Sequence, residues 1–126
     1  MSISGSKDEQ KNLGISRKST LFNLVESAAA ADTGTWVDTH NMENGSIEFY
    51  QESGIGSISS FSCQVMGSNA LLQPENNVDG FNIGAAVTAL SGVVVTTRTR
   101  WMKVKTTALT LTGVATLGVR MHAIGY

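Results

Sequence analysis

With 126 residues, a formal net charge of −1 and only 15% charged residues, the chain is too short for two full domains, and its overall charge gives no reason to expect nucleic acid or an anionic membrane as partner. Hydrophobic residues make up 41%, and the polar remainder is dominated by Ser, Thr, Asn and Gly, a balance that suits β-strands, turns and protein-covered surface. The single cysteine, Cys63, excludes an intrachain disulfide and a cysteine-built metal site.

Residues 1–18 are polar and without period, holding Lys7, Lys11, Arg17 and Lys18 against Asp8 and Glu9, with Ile3, Leu13 and Ile15 as apolar anchors. A segment of that composition cannot order itself by burying its own surface. It is expected to be an extended arm held by a neighbouring chain, with those three apolar and four basic residues as its contacts. It has no apolar core of the kind a signal peptide needs, and no run anywhere approaches 18 apolar residues, so neither an export signal nor a transmembrane helix is expected.

The rest, 19–126, breaks into short runs rich in β-branched residues, separated by Gly, Asn, Asp and Ser. Eight strands are predicted, over 20–30, 35–39, 46–51, 57–66, 81–86, 93–97, 101–107 and 115–124. This is an all-β, antiparallel pattern, an eight-stranded jelly roll or related β-sandwich. The first strand contains the only helical candidate, 26–32 (ESAAAAD), although LFNLV before it reads better as strand. In the fourth, Phe61, Cys63 and Val65 alternate with polar residues, which makes Cys63 a buried, inert thiol. Pro74 marks the long connection that follows as a loop. In RWMKVKT, Met102 and Val104 face the core while Trp101, Lys103 and Lys105 face away. That second face reads either as a basic contact surface with a half-exposed indole or as a rim tryptophan packed under its own lysine stems. The last strand alternates again through Leu117, Val119, Met121 and Ala123.

Charge is segregated along the chain. From Ser19 to Thr97 there are eight acids and no Lys or Arg, whereas Arg98, Arg100, Lys103, Lys105 and Arg120 face no acid in the C-terminal stretch. The two groups must pair within the fold or between copies.

Catalysis needs convergent titratable groups, and the inventory is poor. His40 and His122 have no His, Cys or carboxylate at metal-ligand spacing, SGIGS and GSNA lack both the nucleophile elbow and the Walker lysine, and Asp38 and Asp79 sit in no calcium-type loop. Pairs such as Glu48 with Glu52 or Glu43 with Glu48 would arise in any acidic strand-turn region. No catalytic residue, no cofactor and no metal is therefore predicted, and the chain reads as a non-enzyme. Trp36, Trp101, Tyr50 and Tyr126 remain available for stacking on sugars, which keeps a lectin-like module as the alternative.

The order TGTWVDT, GSIEFY, CQVMGSN, NNVDGFNIGAA, TRWMKVKTT and a final Gly-containing strand resembles the small jelly-roll proteins encoded beside the capsid genes of tailed bacteriophages, which decorate or cement the head. Where that pattern follows GSN with aspartate, this chain has Ala70. The resemblance implies a virion structural role, assembled in the bacterial cytoplasm, without saying which part of the virion. The favoured expectation is a capsid decoration or cement protein that binds the major capsid protein or other virion proteins, as a homo-oligomer with a trimer favoured because capsid shells offer three-fold sites and the acid-only and base-only stretches could meet between copies. A tail or fibre module binding a receptor glycan is the alternative.

Overall fold

A computed structural model describes residues 18–39 and 42–125. The arm contacts Ile3, Lys7, Lys11, Leu13, Ile15 and Arg17, together with His40 and Tyr126, lie outside the described residues, as does the side chain of Lys18. Eight strands follow in chain order: β1 (Lys18–Ala28), β2 (Val37–Asp38), β3 (Met42–Ser53), β4 (Ser57–Ser68), β5 (Phe81–Asn82), β6 (Gly92–Val95), β7 (Trp101–Thr112) and β8 (Thr116–Gly125). There is no helix among the described residues. The helical candidate at 26–32 is instead the end of β1 and the coil that leaves it.

The strands form two four-stranded sheets, ordered β1-β8-β3-β6 and β2-β7-β4-β5, with every pair antiparallel. This interleaved order is that of a jelly roll, in which the chain crosses repeatedly between sheets so that both inner faces close one core. The long strands β3, β4, β7 and β8 stand in the middle, and the shortest pieces lie at the rims. β2 touches β7 only at Val37–Met102 and Asp38–Trp101, with a separate bridge from Asp32 to Thr106. β5 is shorter than the sequence suggests. After Asn82 the backbone meets β4 through Ile83 N–H donating to Val65 O at 2.8 Å and a bridge between Val87 and Cys63, while Gln64 Nε2 of β4 donates to Gly84 O at 3.1 Å.

Alternation decides what the core contains. Ile47 and Phe49 of β3 and Leu117, Val119, Met121 and Ala123 of β8 face Phe61, Cys63 and Val65 of β4 and Met102 and Val104 of β7, all buried. The Phe49 and Phe61 rings stack across the sheets at 6.2 Å. Each such large apolar side chain stabilises the fold by roughly 1.5–3 kcal/mol. Cys63 lies inside this cluster 3.5 Å from Thr106 Oγ1, and burial pushes its thiol above the ordinary range. The inert-thiol reading thus holds.

Candidate interaction surface

The residues expected to form a basic contact face are placed otherwise. Trp101 and Lys103 do point away from the main core, but Trp101 is 8% and Lys103 0% exposed, because the β4–β5 loop (residues 69–80) folds back over this face of the second sheet. Beneath it, Trp36, Met66 and Trp101 form a second, smaller cluster with Ala70 against its side. The loop is fastened from several directions. Trp101 Nε1 donates to Ala70 O at 3.1 Å, Trp36 Nε1 to Glu75 O at 3.2 Å, and Gln73 Nε2 to Trp36 O at 3.2 Å. Lys103 Nζ donates to Asn76 O at 2.7 Å and Val78 O at 3.0 Å, and lies 5.0 Å from the centre of the Trp36 ring. Only Lys105 stays half exposed, and its ammonium is taken by Asp79 at 3.0 Å.

These contacts explain the titrations. Burial draws the Lys103 ammonium below the ordinary lysine range, opposed by the nearby Asp79 carboxylate. Asp79 in turn is held below the usual carboxylate range, chiefly by its hydrogen bond from Lys105. A buried ammonium survives here because two loop carbonyls and a carboxylate replace its water.

The segregated charges therefore meet mainly within one chain. Arg100 lies 3.9 Å from Asp38, Lys103 3.7 Å from Asp79, and Arg120 2.8 Å from Glu48. On the outer face of the first sheet, the Arg120 guanidinium also lies 4.3 Å from the centre of the Tyr50 ring. Gly118, between them on β8, leaves a lane with no side chain. A Cβ there would stand 2.6 Å from the Tyr50 ring and 2.9 Å from Glu52 Oε1. Through that lane Glu52 reaches Ser27 of β1, accepting its N–H at 2.6 Å and its hydroxyl at 3.1 Å. Ser27 adopts φ 51°, so the carboxylate pins a kinked stretch of β1.

The surface that remains free is of another character. The segments 53–74, 80–97 and 106–119 contain no Asp, Glu, Lys or Arg. They meet at one end of the sandwich, where the β3–β4 and β7–β8 turns interlock through Gly56 N–H donating to Val114 O at 2.8 Å. A Cβ on Gly54 (φ +102°) would lie 1.8 Å from that same carbonyl oxygen, so the close fit of the turns requires glycine. Their tips present Ile55, 100% exposed, and Val114, 71% exposed, with exposed Leu90 on the approach to β6. Behind them β4 and β7 continue as a two-stranded ribbon, Ser57–Thr112 to Ser62–Ala108, with no further strand on either side among the described residues. Its side chains are largely Ser and Thr, with Ser59 and Thr112 bonded hydroxyl to hydroxyl. An uncharged, apolar-tipped end with two open strand edges shares with interface cores the lack of Lys, Glu and Asp, and offers unpaired backbone groups for strand pairing.

No family model matches this chain, and no curated protein matches its sequence. Solved structures do match its fold. The SPBc2 prophage-derived protein YomS superposes with a TM-score of 0.62 at 12% identity, over 86% of this chain and 95% of that one. The PBSX exported protein XepA superposes with a TM-score of 0.63 at 14% identity, over 99% of this chain. The chain spans 45% of XepA. Both neighbours are phage-derived proteins. At this identity the likeness establishes the fold.

The uncharged end was missed by reasoning on single strands. Its signal was present as the three charge-free segments, but only the jelly-roll crossovers bring them together. Of the aromatics considered for sugar stacking, Trp36 and Trp101 are buried under the loop, and Tyr50 is half buried against Arg120. Among the described residues no group of three or more His, Cys, Asp or Glu is placed to hold a metal ion.

Proposed function

We propose that this chain is a non-enzymatic structural component of a bacteriophage particle, a head decoration or cement protein that packs against the major capsid protein and against copies of itself, with a trimer as the expected closed form. The observation that carries this reading is the uncharged end: Ile55 and Val114 on interlocked turns, above a ribbon whose two edges lack the charges and prolines by which free-standing β-proteins guard themselves. Such a surface suits permanent cover in an assembly. The phage origin of both structural neighbours supports a particle of that kind. The deciding measurement is the copy number of this chain in purified particles. Hundreds of copies fit a shell protein, a few dozen or fewer move it to the tail, and absence ends the virion reading.

A tail or fibre module that binds a receptor glycan is the second reading, and it now rests on Tyr50 with its flanking Arg120 and Glu48. Glycan binding abolished by Tyr50→Ala in a folded protein would favour it over the shell.

A further inference from the structure

We infer that residues 1–17 of one copy dock into a cleft of a second copy, between the free edge of β1 and the segment that leads from β1 into β2. This rests on the reading above that copies stand side by side, and it names the surface that joins them.

The cleft is a single open volume of about 580 Å³. Buried Leu24 and Val104 form its floor, and residues 28–31, four consecutive alanines, form its wall. The wall carries nothing beyond Cβ, so the space between β1 and the start of β2 stays unfilled. β1 is the rim strand of its sheet, paired only to β8, and its other edge is unpaired by any strand among the described residues. An extended segment entering here gains backbone partners on β1 and an apolar floor, the geometry of strand addition.

Charge selects the occupant. Asp38, Asp79 and Glu48 take up Arg100, Lys103, Lys105 and Arg120, and the Glu52 carboxylate is held by Ser27. The acids among the described residues lining the cleft are Glu26 and Asp32, both exposed; neither lies within ion-pair distance of a base among the described residues, although Asp32 acts on Lys103 through space. Among the described residues no Lys or Arg lines it. The bases outside the described fold are Lys7, Lys11 and Arg17, which outnumber Asp8 and Glu9 on a segment that also offers Ile3, Leu13 and Ile15. The arm thus carries what the cleft lacks, in both charge and apolar side chains.

The direction of the chain selects a second copy. The cleft begins near Asn23 and runs to Thr35, whereas the arm joins β1 at Lys18, its opposite end. For its own arm to fill the cleft, the chain would have to reverse before Lys18, around Gly14 or Ser16, and run back along the whole of β1, the outcome that an intrachain disulfide would report. Running on instead, 17 residues span up to roughly 60 Å, enough to reach a neighbour. Each copy then gives an arm and receives one, and the contact closes into a ring.

The test uses the full chain and charge exchange. Glu26→Lys with Asp32→Lys reverses the cleft, and Lys7→Glu with Lys11→Glu reverses the arm. Each variant alone should sediment as a folded monomer, and a chain carrying all four substitutions should recover the native oligomer, because its reversed arm then finds an oppositely charged cleft on the next copy. Ile15→Cys combined with Ala30→Cys should give disulfide-linked chains under oxidation. A native chain that is monomeric at tens of micromolar, a folded chain with all four substitutions that stays monomeric, or a disulfide closed within one chain would overturn the inference. Particles scored for the same variants separate the two readings: a docking failure with the native chain still present in particles removes the cleft alone, whereas its absence from particles removes the virion assignment.

Discussion

Two cores share the strand β7 and are held on opposite terms. Toward the inside, Met102 and Val104 join a cluster of apolar side chains drawn from five strands, where stability follows buried area. Toward the outside, Trp101, Lys103 and Lys105 hold a loop in which two indoles and an ammonium each donate to a backbone carbonyl. The first has no direction and little pH dependence. The second is directional and titratable, and losing one donor strands an acceptor. Alternation along a single strand is enough to keep two such different environments a strand's thickness apart.

The largest expected effect comes from breaking the inner core. Leu117→Ala, at a position with no exposure, should cost about 2–5 kcal/mol, measured by urea unfolding, with indole fluorescence and circular dichroism lost together. Separate transitions would mean that the loop cluster is an independent unit. Next in size is Lys103→Met, which keeps the stem but leaves the Asn76 and Val78 carbonyls without their donor. It should cost about 1–3 kcal/mol and make residues 69–80 more sensitive to proteolysis, while the Cys63 thiol stays unreactive. A gain in stability instead would show that desolvating the ammonium outweighs its hydrogen bonds, which would reverse the contrast between the cores.

The smallest effect is on pH dependence, and the two titrations act with the same sign. Asp79 is held below its ordinary value of 3.8, so its contribution is present above that value and is lost as pH falls through the lower value it has in the fold. Lys103 is also lowered, from 10.5, so the unfolded chain binds its proton more readily and stability rises as pH climbs toward 10.5. The loop should therefore tighten with rising pH across both windows. Tryptophan emission should shift to longer wavelength in acid in the native chain and much less in Asp79→Asn. An equal shift in both would remove Asp79 from the clamp.

Most of the inner core was legible in the sequence, since Phe61, Cys63 and Val65 on one strand and Leu117 to Ala123 on another announce their faces by alternation alone. Strand ends were less so. β3 starts at Met42 and β7 runs on to Thr112 because pairing partners extend them, while β5 shrinks to two residues because its partner β4 is met only intermittently. The outer face of β7 was misjudged as a contact surface because a strand's pattern says which side a residue takes, and nothing of what lies over it. A loop 31 residues from Trp101 in the sequence supplies the cover. The uncharged end and the alanine-walled cleft are likewise products of the crossovers.

The sheet order has one further consequence, for the timing of folding. β8 is the last of the described strands to be made, yet it lies between β1, the first of them, and β3. Until it arrives, β1 has no strand to bond and the row Leu117, Val119 and Met121 is missing from the core. The second sheet can begin pairing once β7 is made, but the first must wait for β8, so the sandwich closes only when that strand is available. A nascent chain truncated before Thr116 should accordingly show a β4–β7 ribbon and no closed jelly roll.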